Sequence, residues 1–205
     1  MITLYDLEPS GNCHKVRLLL GFLGIDYQRK TVDFAGGEHK GQAFLKLNPM
    51  GEIPVLVDET PGPAGQYVVL RDSQAILVYI ARKYGGDKWL PSDPHGNALV
   101  MQWLSTSANE IANGASAARA HDKFGYKLDV AAARELTKRT LQIFDEHLGA
   151  RDWLELGRPT IADIACFPYL GLAHEGGVAL EPYKNVQRWF GRIKALPGYV
   201  SMPAL

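Results

Sequence analysis

The chain has 205 residues, of which 46% are hydrophobic and 21% charged, a composition typical of a globular protein with one large or two small domains. Its 22 basic and 22 acidic residues balance, which argues against a nucleic-acid-binding protein or one drawn to an acidic membrane surface. No apolar run approaches the ~20 residues of a membrane span, and no signal peptide is visible. Cys13 and Cys166 form no C-x-x-C motif, so we expect a reducing, cytoplasmic location.

The first part of the chain alternates strand and helix patterns. Residues 2–7 have the pattern of a short strand, which turn residues 9–12 end. Apolar side chains then recur at three- and four-residue spacing as far as Gly24, which predicts a helix, and a second strand follows at residues 27–32. A strand, a helix and a strand of these lengths predict a βαβ unit with parallel strands.

Residues 48–56 run from a turn rich in proline and glycine into an apolar strand. Pro54 can open that strand but has no N–H for the ladder, so Ile53-Pro54 is a candidate cis peptide, although only about 5–6% of X–Pro bonds are cis. The loop at residues 61–65 predicts a hairpin connector to a strand at residues 67–70.

Phe44, Leu45 and Leu47 predict a short second helix, and a third helix begins directly after the strand at residues 67–70. Asp72 and Ser73 would lie at its N-terminus, where free backbone N–H groups and the helix dipole suit a carboxylate. Together with residues 48–56, they predict two rims of one binding site for a small, peptide-like anion.

The second half of the chain has only helical patterns. It follows a linker with two prolines and contains one strong local signal: the segment Thr160-Ile161-Ala162-Asp163 predicts a capping box at the start of a buried helix, which gives Asp163 a folding role. Residues 114–127 fit either a continued helix or a loop. Helices are predicted at residues 97–113, 129–148, 161–173 and 183–195.

The chain resembles the cytosolic glutathione transferases, of bacterial type, over essentially its whole length. The resemblance rests on three motifs that are weak singly and specific in this order: Asn48-Pro49-x-Gly51-x-x-Pro54-x-Leu56, Asp72-Ser73-x-Ala75-Ile76 and Thr160-x-x-Asp163. It implies an α/β thioredoxin-like N-terminal domain (βαβαββα) at residues 1–84, a linker at 85–94 and an all-α helical domain at 95–205. It also implies a homodimeric, cytoplasmic detoxification enzyme that adds glutathione to a small hydrophobic electrophile.

The resemblance assigns roles in glutathione binding. Pro54 is expected to be cis, Ile53 to offer its backbone to the cysteinyl part, and Asp72 and Ser73 to hold the γ-glutamyl end. His39 and Lys40 lie where the family places a cation for the glycine carboxylate, which a lysine ammonium suits; the alternative is a solvated loop charge. Glu52 is a candidate for the edge of the site or a plain polar turn residue.

Ser10 resembles the catalytic serine of the theta- and zeta-like classes. A hydroxyl donor and a helix N-terminus together can stabilise a thiolate, and a role as helix N-cap is compatible with that task. Asn12 is an amide donor in the same turn, which would either bond the sulfur or stabilise the turn. Tyr5 and Cys13 are alternative candidates for contact with the glutathione sulfur, but we expect both to pack in the interior.

The resemblance places the electrophile pocket between the domains, with Trp103, Ser107, Ala108, Ile111 and Phe124 as candidate lining residues, although residues at helical spacing are more often core. The six histidines have no paired ligand spacing, so no metal is expected. Two alternative functions stay open: a glutathione-dependent disulfide reductase or peroxidase on the same site, and a non-catalytic binding scaffold.

Overall fold

The computed structural model describes residues 1–60 and 67–205, so the predicted connector at residues 61–65 lies outside the described residues. One sheet has the spatial order β2-β1-β3-β4. β1 pairs parallel with β2, while β3 pairs antiparallel with both β1 and β4, which confirms the predicted βαβ unit. The strands are β1 (Ile2–Asp6), β2 (Gln28–Thr31), β3 (Val55–Asp58) and β4 (Val68–Arg71).

Three helices accompany this sheet, and their order confirms the predicted thioredoxin-like layout. They are α1 (Gly11–Phe22), α2 (Gln42–Leu45) and α3 (Ser73–Ile80). α1 packs against α3 on one side and against a helix of the second half on the other. The Ile53-Pro54 peptide bond is cis, as the resemblance implied.

The second half of the described chain is helical, which confirms the all-α prediction. Ser107–Ser116 forms a π-helical stretch that joins α5 to α6 without a break, so the uncertain segment after residue 113 continues as helix to Phe124. Within the described ranges, no helix has both the length and the apolar character needed to cross a membrane. The helices are α4 (Gly86–Trp89), α5 (Pro94–Thr106), α6 (Ala117–Phe124), α7 (Val130–His147), α8 (Ile161–Gly171) and α9 (Lys184–Lys194).

α8 lies at the centre of the molecule and starts with the predicted capping box. The Asp163 carboxylate accepts the backbone N–H groups of Thr160 and Leu154 at 2.9 and 3.0 Å and the indole N–H of Trp189 at 2.9 Å. Burial raises the pKa of Asp163 to about 6, against the effect of these donors. The carboxylate therefore ties the start of α8 to a loop and to α9, which supports the folding role predicted for it.

The two halves share one hydrophobic core, and the last part of the chain returns to α1. Leu4 and Leu56 of the sheet belong to the same buried cluster as Phe167 of α8. Behind α1, a Cβ at Gly21 would lie 2.5 Å from the carbonyl oxygen of Gly198, so only glycine allows this approach. This packing fixes the C-terminal end of α1 against residues 198–200.

Candidate active site

A cleft of about 710 Å³ lies between the turn that joins β1 to α1 and the helical half. Four residues that the sequence predicts for the site line it: Ser10, Asn12, Glu52 and Ile53. The opposite wall comes from α6, α8 and nearby loops and is rich in aromatic rings. Its members from the helical half are Ser116, Arg119, Ala120, Phe124, Tyr126 and Tyr169.

Ser10 is the N-cap of α1. Its backbone is extended, and its Oγ accepts the backbone N–H of Cys13 at 3.3 Å. An acceptor role uses a lone pair and leaves the hydroxyl hydrogen free. Capping and donation to a ligand in the cleft are therefore compatible, and the cap bond holds the hydroxyl at the positive end of the α1 dipole.

Asn12 is the second residue of α1 and is held by buried partners. The ammonium of Lys15 donates to Asn12 Oδ1 at 2.9 Å and to Ser107 Oγ at 3.1 Å. The hydroxyl of Ser73 lies 3.3 Å from the same Asn12 oxygen, so this amide links α1 to the start of α3. Lys15 is 1% exposed, and burial lowers its pKa to about 8.

Asp72 caps α3 and precedes Ser73, whose hydroxyl lies beside Asn12, but neither Asp72 nor Ser73 is among the residues that line the cleft. Asp72 accepts the backbone N–H of Ala75 with its Oδ1 at 2.9 Å, and its φ of 72° is unusual for a residue other than glycine. Such a strained backbone persists where the surrounding structure determines it, and it often marks a binding site. Asp72 is exposed, so its second carboxylate oxygen is accessible to a cationic group.

The predicted cation for the glycine carboxylate lies beside the turn before β3. Lys40 donates to the backbone carbonyls of Met50 and Gly51 at 3.2 and 3.1 Å and stays exposed. His39 instead stacks on Phe34, with ring centroids 3.7 Å apart. Lys40 is therefore the residue of the two whose ammonium is held at the turn before β3, and neither residue is among those that line the cleft.

Cys13 and Tyr5, the other candidates for contact with the glutathione sulfur, lie in surroundings unlike those of Ser10. Cys13 is completely buried, and burial together with the Asp6 charge raises the pKa of its thiol to about 12. Tyr5 packs edge-on against Phe44, with ring centroids 5.9 Å apart, in the small apolar cluster beside β2. Both residues therefore have the packing roles that the sequence predicted.

Of the five predicted pocket residues of the second half, the structure brings Phe124 to the cleft but not the other four. Ala108 is exposed and does not line the cleft. Ile111 is 1% exposed in the core, and Ser107 is buried between Lys15 and the carbonyl of Ala165. Trp103 lines a separate cavity of about 450 Å³, where its indole N–H donates to Glu155. For Ile111 the π-helical stretch from Ser107 explains this, because its wider turns rotate later residues away from the face that α-helical spacing would extrapolate. Trp103 precedes that stretch and lies on the face of α5 that packs against Phe144 of α7.

Tyr169 and Arg119 of the opposite wall were not predicted from the sequence. The ring of Tyr169 covers the first turn of α1, where a Cβ at Gly11 would lie 2.8 Å from ring atoms. Arg119 is 2% exposed and donates to the carbonyl of Pro9 at 2.9 Å, which ties α6 to the turn that carries Ser10. The glycine directly after Ser10 is the one sequence signal for such a close approach.

Both halves of the chain match models of known protein families. The model described as glutathione S-transferase, N-terminal domain, matches residues 9–83, and the model described as glutathione S-transferase, C-terminal domain, matches residues 99–197. The disulfide-bond oxidoreductase YfcG of Escherichia coli (strain K12) is 30% identical to this chain over 202 residues, which are 96% of this chain and 92% of that protein.

Solved structures are similar over almost the whole chain. A glutathione S-transferase from Pseudomonas fluorescens has a TM-score of 0.88 and 30% identity over 98% of both chains. A glutathione transferase family member from the same organism, with two glutathione bound, has a TM-score of 0.84 and 30% identity over 96% of this chain and 89% of its own.

Proposed function

The chain belongs to the glutathione S-transferase family, and we propose that it binds glutathione, ionises its thiol beside Ser10 and adds the sulfur to a small hydrophobic electrophile. The observation that carries this proposal is the cleft at the N-terminus of α1, which Ser10 and Asn12 line. A solved relative holds glutathione, and this chain is similar to it over 96% of its length.

The chemistry required of the site is to stabilise a thiolate. A free thiol has a pKa of about 8.5, so making half of it ionised at pH 7 requires about 2 kcal/mol. A hydrogen bond to a charged acceptor contributes roughly 1.5–3 kcal/mol, and a helix N-terminus adds about 0.3–1 kcal/mol. The hydroxyl of Ser10, the amide of Asn12 and the dipole of α1 together suffice for that ionisation.

The remaining rim residues would hold the peptide. The exposed carboxylate of Asp72, with Ser73 beside it at the start of α3, suits the charged γ-glutamyl end. Ile53 would offer its backbone to the cysteinyl part, beside Pro54 and Glu52. The Lys40 ammonium, already held by two carbonyls of the neighbouring turn, is the cation for the glycine carboxylate.

The electrophile would bind against the aromatic wall of the cleft. Phe34, Phe124 and Tyr126 line it with Tyr169, so a flat, apolar compound can bury its surface there. We assign glutathione binding to residues 1–84 and the electrophile wall to residues 95–205, joined by residues 85–94. A cytoplasmic homodimer with a detoxifying role, working without a metal, is part of the same proposal.

A second candidate reaction is disulfide reduction at the same cleft, favoured by the similarity to the oxidoreductase from Escherichia coli. The glutathione thiolate would attack one sulfur of a disulfide, form a mixed disulfide and release the other sulfur as a thiolate. The attacking thiol must come from glutathione, because Cys13 and Cys166 are both fully buried.

Calorimetry with glutathione followed by a turnover panel tests these proposals. The panel consists of an aryl halide, an organic peroxide, a mixed disulfide and an isomerisable enone. Conjugation of the aryl halide supports the transferase, and turnover of the mixed disulfide alone supports the reductase. Failure to bind millimolar glutathione contradicts both and favours a non-catalytic scaffold. The Cys13→Ala variant is a control that should retain activity, since its thiol does not reach the cleft.

A further inference from the structure

Lys15 is a charged residue of α1 to which the proposed reaction gives no role. It is fully buried, and no carboxylate among the described residues lies within ion-pair distance of its ammonium. A buried charge without a counter-ion is costly. Its two hydrogen-bond acceptors are the neutral oxygens of Asn12 and Ser107.

The contact with Lys15 determines which way the Asn12 amide faces. An ammonium only donates hydrogen bonds, so the Asn12 atom 2.9 Å from it must be the carbonyl oxygen. The hydroxyl of Ser73 contacts the same oxygen. In the described part of the chain no protein acceptor bonds the amide nitrogen of Asn12, and Asn12 lines the cleft. The N–H₂ group is therefore the part of this side chain available to a ligand.

We propose that Lys15 is a positioning residue for the glutathione thiolate: it fixes the Asn12 amide with its N–H₂ group toward the cleft and places a buried positive charge behind that amide. The inference rests on the proposed function, because it assigns a role toward the bound thiol. Ser10 and Asn12 would contact the sulfur, whereas Lys15 would act through Asn12.

The groups around Lys15 do not neutralise its charge, which therefore acts on the cleft. The groups that face the lysine are the thiol of Cys166 and the ring of Tyr169 on α8, the latter 5.6 Å from the ammonium, and the more distant carboxylate of Asp72. Burial raises the pKa of the Cys166 thiol, which keeps it neutral. A thiolate formed next to Asn12 would thus be the nearest anion to Lys15, across one polarised amide.

The Lys15→Met variant tests the proposal. Methionine fills a similar buried volume, while Ser107 keeps its bond to the carbonyl of Ala165 and Asn12 keeps its contact with Ser73, so the variant should fold. We expect the affinity for glutathione to change less than about threefold, the pKa of the bound thiol to rise by about one unit, and kcat at neutral pH to fall about tenfold. The loss of kcat should shrink as the pH is raised, which a general packing defect would not produce.

Two further variants separate the proposed role from packing. Cys166→Ala changes the same buried layer beside Lys15 without removing a bond to its ammonium, and the pKa of the bound thiol should stay unchanged. In an Asn12→Ala background, Lys15→Met should have a much smaller effect, because a residue that acts through Asn12 has nothing left to orient. Equal effects in both backgrounds would overturn the coupling.

A measurement on the unmodified protein covers the case in which Lys15→Met does not fold. The pKa of the Lys15 ammonium, followed by nitrogen NMR, should be higher with glutathione bound than with S-methylglutathione bound, since only the former gives a thiolate. An identical pKa in both complexes would refute the proposal. If the unmodified protein binds glutathione without lowering its thiol pKa, the proposed function fails instead, so the two failures are distinguishable.

Discussion

Replacing Ser10 by alanine should lower both stability and turnover, by different amounts. Its hydroxyl caps α1, and it is the proposed hydrogen-bond donor to the glutathione sulfur. The Oγ accepts the backbone N–H of Cys13 at the start of α1, and losing such an N-cap costs about 1 kcal/mol. For a chain of this size that corresponds to a fall in Tm of about 2–4 °C. A loss of this magnitude leaves the protein folded under assay conditions.

The effect of this substitution on turnover should be larger. One donor to a charged sulfur contributes roughly 1.5–3 kcal/mol, which corresponds to a rise of about one to two units in the pKa of the bound thiol. Asn12 and the α1 dipole would remain, so the loss should stop short of complete inactivation. We expect kcat at pH 7 to fall at least about tenfold, with little change in glutathione affinity.

The assay combines the ultraviolet absorbance of the bound thiolate as a function of pH, conjugation rates at saturating glutathione, and thermal unfolding. Ser10→Thr keeps the hydroxyl and should retain both properties. Ser10→Gly is the matched control, because glycine is a good N-cap residue, so stability should return while turnover stays low. Unchanged turnover in Ser10→Ala, alongside the fall in Tm, would reduce Ser10 to a cap and refute the reasoning.

Three further predictions concern the carboxylates of Asp72, Asp163 and Asp58. Asp72→Asn keeps the cap of α3 but loses the charge, so calorimetry should give about tenfold weaker glutathione binding; unchanged affinity would remove Asp72 from the site. Asp163→Ala leaves buried donors such as the Trp189 indole without an acceptor, and urea denaturation should reveal a loss of about 3–5 kcal/mol; a loss below about 1 kcal/mol would contradict its anchoring role. Burial alone would raise the pKa of Asp58, but hydrogen bonds from Lys83 and its other neighbours hold it well below its usual range. Its contribution is therefore present at neutral pH and lost as the pH falls below about 4, and Asp58→Asn should flatten that part of a stability–pH curve.

The fold and the N-terminal side of the cleft, where we propose that glutathione binds, could be predicted because local signals determine them. Pro54 before an apolar strand, an Asp-Ser pair at the start of α3 and a capping box at Thr160 each specify their own backbone within a few residues. These signals also place Ser10 and Ile53 at the ends of elements whose order fixes the sheet. The residues on this side follow from the chain's local chemistry and its topology.

The opposite wall depends on geometry that no local pattern encodes. Ile111 has the helical spacing of a wall residue, but the wider turns from Ser107 to Ser116 bury it, while Trp103 lies on the face of α5 that packs against Phe144 and lines another cavity. Arg119 lies in an alanine-rich run without any motif, and its importance comes from a carbonyl 110 positions earlier in the chain. Long-range contacts of this kind are outside the reach of periodicity.

The approach of residues 198–200 to α1 has a consequence for the order of assembly during synthesis. His14 donates to the carbonyl of Val200 at 2.8 Å, and Gly21 meets Gly198. The nascent chain can form the sheet early, but the back of α1 stays uncovered until these residues leave the ribosome. The helix that carries Ser10 and Asn12 therefore completes its packing only after residues 198–200 have left the ribosome, and a chain arrested shortly before residue 198 should hold the turn at Ser10 loosely.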